Sequence, residues 1–90
     1  MCLEIMKNKL QELLTITMEE CGELIQACSK KLRGKKNINQ SLLEEVGDVQ
    51  CMIDLMVENG LLAREDISSR VQVKRDKLKT WSNLIEDSKR

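Results

Sequence analysis

No proline occurs anywhere in this chain, and its apolar residues return at three- and four-residue spacings over most of its length. Proline breaks helices and an alternation of period two marks strands; a chain without the first and with a period near 3.6 is confined to helices. Four glycines and one aromatic residue, Trp81, leave little material for turns or sheet. The expected fold class is therefore all-α. Ninety residues make one small domain, 1–90, with no low-complexity linker inside it. A core that small buries only a modest share of the surface, so association with a second chain is expected.

The stripes divide the chain into three main helices. From Leu3 to Leu32, Leu10, Leu14, Thr17, Cys21, Leu24 and Cys28 form the first stripe. The segment 33–41, RGKKNINQS, interrupts it, with Gly34 expected as the C-terminal cap. Ser41 followed by Glu44 reads as a capping box for the second helix, with Asn37 or Asn39 as earlier starting points. Leu42, Val46, Val49, Ile53 and Met56 mark that helix, which stops at Asn59-Gly60. Ile67, Val71, Leu78, Trp81 and Ile85 mark a third, with Lys74 inside its stripe.

Charge and cysteine usage exclude several functions. Fifteen basic residues balance fifteen acidic ones, so no global field draws the chain to nucleic acid or to an anionic membrane. The segment MCLEIMKNK carries Glu4, Lys7 and Lys9 and has no long apolar run, which argues against a signal peptide or a membrane span. Cys2, Cys21, Cys28 and Cys51 form no C-x-x-C pair, and the absence of histidine removes the mixed zinc sites. Cys21 and Cys28, seven apart among leucines, read as small core hydrophobes of a reduced, cytoplasmic protein.

Two segments share one pattern. Glu19-Glu20-Cys21-Gly22-Glu23 and Glu44-Glu45-Val46-Gly47-Asp48 both read E-E-x-G-acid. In each, the acids at i and i+3, Glu20 with Glu23 and Glu45 with Asp48, lie on one helix face beside the apolar stripe. Like charges at that spacing repel unless they share a cation, and an all-oxygen donor set selects a hard ion such as Mg²⁺ or Mn²⁺. Each mid-helix glycine costs about 1 kcal/mol relative to alanine, which points to close approach of a backbone or room for a ligand. A hairpin folded about Gly34 would bring Glu20 level with Asp48 and Glu23 level with Glu45. A loop centred near residue 37 would instead leave them out of register by roughly 9 Å, at about 1.5 Å of rise per residue.

The arrangement E-E-x-x-E, then 21 residues, then E-x-x-D resembles the signature of the MazG-like all-α nucleoside triphosphate pyrophosphohydrolases, here Glu19, Glu20 and Glu23, then Glu45 and Asp48. The likeness runs from EECGELIQACSK through LLEEVGDVQCMIDLM to a basic C-terminal helix, and fits the short single-unit proteins of bacteria and their phages. It implies a four-helix-bundle core completed by homo-oligomerisation, as a homodimer or homotetramer. It further implies that Glu20, Glu23, Glu45 and Asp48 bind Mg²⁺, which holds the triphosphate for cleavage between the α and β phosphates into monophosphate and pyrophosphate. Glu19, which extends the acidic face at i, i+4 from Glu23, is then the candidate catalytic residue, as general base or as a carboxylate supporting the ion's ligands, with Lys74 and Lys77 as phosphate-binding residues. Lys31 and Lys36, in a basic cluster with Lys30, Arg33 and Lys35, are further candidates.

Three rivals follow from the same residues. A ferritin-like di-iron protein needs Glu-x-x-His, which a chain without histidine cannot supply. A nucleic-acid-binding helical protein is disfavoured by the zero net charge and the single aromatic residue. A non-enzymatic helical dimerisation or adaptor module remains the alternative, since charged helices with apolar stripes often do no more.

Overall fold

The computed structural model describes the backbone of residues 2–85 and the side chains of residues 8–85. Three helices follow in order, α1 (Cys2–Leu32), α2 (Asn39–Glu58) and α3 (Arg64–Trp81), and no strand occurs among the described residues. No helix among them is long and apolar enough to cross a membrane. The chain divides into two compact units, residues 1–59 and 60–90.

In the first unit α1 packs against α2 as an antiparallel hairpin. The turn begins with Gly34 at φ 79°, whose N–H donates to the Lys31 carbonyl at 3.0 Å, while the Lys35 N–H reaches back to the Lys30 carbonyl at 3.0 Å. This pair of bonds is a Schellman motif, and it satisfies carbonyls that the helix end would leave open. Asn37, at φ 60°, supplies a second left-handed residue. The expected capping box does not form: α2 starts at Asn39, places Ser41 and Glu44 inside the helix, and has no side-chain cap. Ile38 is the reason. It is buried at the turn and its carbonyl accepts the Leu42 N–H at 2.8 Å, so apolar anchoring rather than a hydroxyl fixes the start. The far end of α2 stops as expected, with the Asn59 N–H on the Leu55 carbonyl at 2.9 Å and Gly60 at φ 77°.

The seam between α1 and α2 differs from the stripe expected from periodicity. Leu13, Ala27, Ile38 and Met52 are the buried apolar residues, with Thr17, Leu24, Leu42 and Val49 half-buried between them. Leu10, Leu14, Cys21, Cys28 and Val46 are exposed, so Cys21 and Cys28 are not core residues. Two apolar stripes run along α1 one residue apart, and a 3.6-residue period cannot tell which of them meets α2. Thr17 is tolerated in the seam because its hydroxyl donates to the Leu13 carbonyl at 2.7 Å.

The second unit holds α3, which opens after an extended Ala63 and carries Glu65 and Asp66 in its first turn. It ends at Trp81, short of the expected Ile85. Ser82 turns extended, donates its hydroxyl to the Leu78 carbonyl at 3.0 Å and accepts the Leu84 N–H at 3.1 Å, which terminates the helix. Trp81 is 81% exposed.

Candidate metal centre

The centre is built by the hairpin seam. Glu20 follows Leu13 and Thr17 along the packed face of α1, and Glu45 follows Ile38 and Leu42 on α2; both are half-buried. Asp48, one turn beyond Glu45, is exposed beside them. Glu20, Glu45 and Asp48 each offer a carboxylate oxygen, and the three lie within 4.8 Å of one another. Their convergence answers the question of register. The turn spans residues 33–38 and is centred midway between Gly34 and position 37, which halves the offset to about 4.5 Å, within reach of flexible carboxylates.

Electrostatics reports the same crowding. Burial holds the Glu20 carboxyl above its usual 4.5, and the charges of Asp48, Glu45 and Glu23, with a side-chain hydrogen bond to Asp48, push in the same direction. Burial also raises Glu45, followed by the charges of Glu23, Asp48 and Glu44, while Lys30 opposes them. A cation among these oxygens would relieve the repulsion. Oxygens about 2.1 Å from an octahedral cation lie roughly 3–4 Å apart, a separation that falls inside the 4.8 Å within which these three gather.

Glu23 lies outside the three-oxygen group but close enough for its charge to act on both Glu20 and Glu45. Glu19 is exposed on α1. Lys31 and Lys36 line a surface hollow of about 610 Å³ at the turn, together with Lys35, Asn37 and Asn39. Lys74 lines another, of about 490 Å³, with Leu62, Ile67 and Arg70, and Lys77 is exposed on α3. The hairpin thus unites Glu20, Glu45 and Asp48 with Glu23 at their edge, and places Lys31 and Lys36 at its turn. Lys30, grouped in the sequence with the loop cations, instead acts on Glu45 from the last turn of α1.

A Cβ at Gly22 or Gly47 would meet nothing within 4 Å, so among the described residues no close helix contact requires either glycine, and the space beside each is open. No protein-family model matches the chain, and neither a curated protein nor a solved structure matches it.

Proposed function

We propose that this chain is a Mg²⁺-dependent nucleoside triphosphate pyrophosphohydrolase of the MazG type, acting in the cytoplasm as a homodimer or homotetramer. The observation that carries the reading is the convergence of Glu20, Glu45 and Asp48 from two helices onto one point, with two of the three carboxyls raised above their usual range. A like-charged cluster in a helix seam is a cost to the fold in the absence of a cation and an asset in its presence.

In this reading Glu20, Glu45 and Asp48 hold the ion, with Glu23 adding negative charge beside it. Bound there, Mg²⁺ supplies charge neutralisation on the phosphates and a fixed geometry for the nucleophile. Glu19 accepts the proton of the attacking water; the new bond forms at the α-phosphorus as the bridging bond to the β-phosphate breaks, and pyrophosphate leaves. Lys31 and Lys36, at the turn of the same hairpin, are the candidates for binding phosphate. Mn²⁺ has the same donor preference and substitutes for Mg²⁺.

The experiment is incubation of the purified chain with each NTP and dNTP in the presence of Mg²⁺ and separation of the products. Monophosphate with pyrophosphate is the expected pair; no turnover of any nucleotide, with no binding of Mg²⁺, overturns the reading. The second reading, a non-enzymatic dimerisation or adaptor module, is favoured by the apolar side chains left exposed on α1 and α2. It predicts a melting temperature indifferent to Mg²⁺, whereas an ion bound only by the folded state must raise it.

A further inference from the structure

Asn59 caps the end of α2, and of the five asparagines in the chain it alone precedes a glycine. Asparagine is a thermolabile residue, because the peptide nitrogen that follows it can attack its side-chain amide carbon. Glycine, having no side chain, leaves that nitrogen unhindered. The other four asparagines are held away from this reaction. Asn8 and Asn39 lie within α1 and α2, where the backbone cannot turn without breaking helical bonds. Asn37 precedes Ile38, which is β-branched and buried. The Leu84 nitrogen after Asn83 is occupied, donating to the Ser82 hydroxyl oxygen at 3.1 Å.

Asn59 and Gly60 are both exposed. Among the described residues no carbonyl accepts the Gly60 N–H, and a Cβ built on Gly60 would meet nothing within 4 Å. The nucleophile is therefore neither occupied nor crowded. At ψ 8° the Gly60 nitrogen is turned away from the Asn59 side chain, so ring closure requires rotation about the Asn59 Cα–C bond. That bond lies beyond the helical ladder. The Asn59 N–H, on the Leu55 carbonyl at 2.9 Å, sits on its N-terminal side and survives the rotation. What must let go is an exposed side-chain bond, in which Asn59 Nδ2 donates to the same carbonyl at 2.8 Å.

We propose that Asn59 is a site of spontaneous deamidation, a one-way modification that opens the C-terminal turn of α2. The Gly60 nitrogen gives its proton to hydroxide and bonds to Asn59 Cγ; the Cγ–Nδ2 bond breaks and ammonia leaves. Water then opens the five-membered ring at either carbonyl. Opening at Cγ leaves an aspartyl residue at position 59. Opening at the backbone carbonyl leaves an isoaspartyl residue, through whose Cβ the main chain now runs. Either product carries a carboxylate that cannot donate to the Leu55 carbonyl. The new charge arises at the negative end of the α2 dipole, beside Glu58, in a last turn that holds no basic residue to offset it. Loss of the side-chain bond and gain of the repulsion both loosen residues 55–59. Asp48 lies roughly 16 Å back along α2, at about 1.5 Å per residue, and the inference is independent of the hydrolase reading.

The test incubates the full native chain in mildly alkaline buffer and follows its tryptic peptide 37–64 by mass spectrometry. The peptide is expected to convert into two products in which oxygen has replaced NH, at a rate proportional to hydroxide, with fragment ions placing the change at 59. In isotopically labelled water the new oxygen carries the label, and an isoaspartyl methyltransferase with S-adenosylmethionine methylates one product and not the other. The native rate is expected within about tenfold of that in the urea-unfolded chain, as for a segment at the low end of local opening free energies. Asn59→Gln, which would need a larger ring, is expected to show no conversion there. The modified fraction, separated by anion exchange, is expected to lose hydrogen-exchange protection at positions 57–59 and to keep it at Met52. A native chain that stays unmodified while the unfolded chain converts overturns the proposal, and so does equal conversion at Asn37 or Asn83. Full protection of positions 57–59 in the modified fraction overturns the opening of α2.

Discussion

The two sides of the α1–α2 hairpin share a seam and differ in everything else. Residues that precede seam positions include Glu12, Glu19, Glu23, Glu44 and Asp48; residues that follow them include Leu14, Met18, Cys21, Ile25, Leu43 and Val46. Two steps along the chain, a rotation of about 200° through the seam position, change the surface from acidic to apolar. Glu20 and Glu45 occupy the seam itself, so the carboxylate cluster and the helix contact use the same positions. The two chemistries are separable by substitution because only the seam belongs to both.

The largest expected effect tests the carboxylate cluster. Asp48→Asn and Glu20→Gln should each lower pyrophosphate release by roughly 100-fold or more, the scale on which loss of one charge-stabilising group slows a reaction, while sedimentation remains that of the parent. Loss of assembly in either variant would show that the sides are not independent. Met52→Ala, in the seam, should act on both by removing a buried side chain, at a cost of about 2 kcal/mol in denaturant unfolding. Gly34→Ala should cost about 1 kcal/mol, because alanine resists φ 79°, and should leave the intrinsic affinity for Mg²⁺ little changed.

The smallest effect is on pH dependence. Glu20 and Glu45 have raised values in the folded chain, so the metal-free fold binds their protons more tightly than the unfolded chain does. The stability they contribute is present below the usual 4.5 and is lost as pH climbs through the raised values. Metal-free melting temperature should fall across that climb, Mg²⁺ should restore it near neutrality, and Glu20→Gln should flatten the dependence. A metal-free melting temperature that rises through this window would contradict the crowding of the cluster.

The all-helical architecture and the stop at Asn59-Gly60 were legible in the sequence, because each depends on local spacing; the meeting of the acidic motifs was legible only as one of two registers, and Glu23 lies outside the group that forms. The identity of the seam was not. Doublets such as Leu13-Leu14, Leu24-Ile25 and Leu42-Leu43 place apolar residues on both sides of one phase, and periodicity averages over them. The capping box failed because Ser41-x-x-Glu44 is a statement about hydroxyls, whereas burial of Ile38 sets where α2 begins. Lys30 was hidden in a cluster of loop cations; only the folded hairpin brings its charge to bear on Glu45.

The turn at 33–38 has a consequence for how this centre can evolve. Its left-handed residues, Gly34 and Asn37, close a connection that leaves little slack. One inserted residue that lengthened the start of α2 would advance that helix by about 1.5 Å and swing Glu45 and Asp48 by about 100° relative to Glu20. The geometry of the carboxylate cluster is thus encoded in the length of a segment that contributes none of its three carboxylates. Substitutions there should be tolerated far more readily than insertions or deletions, and drift in loop length should erase the cluster before any acidic residue is lost.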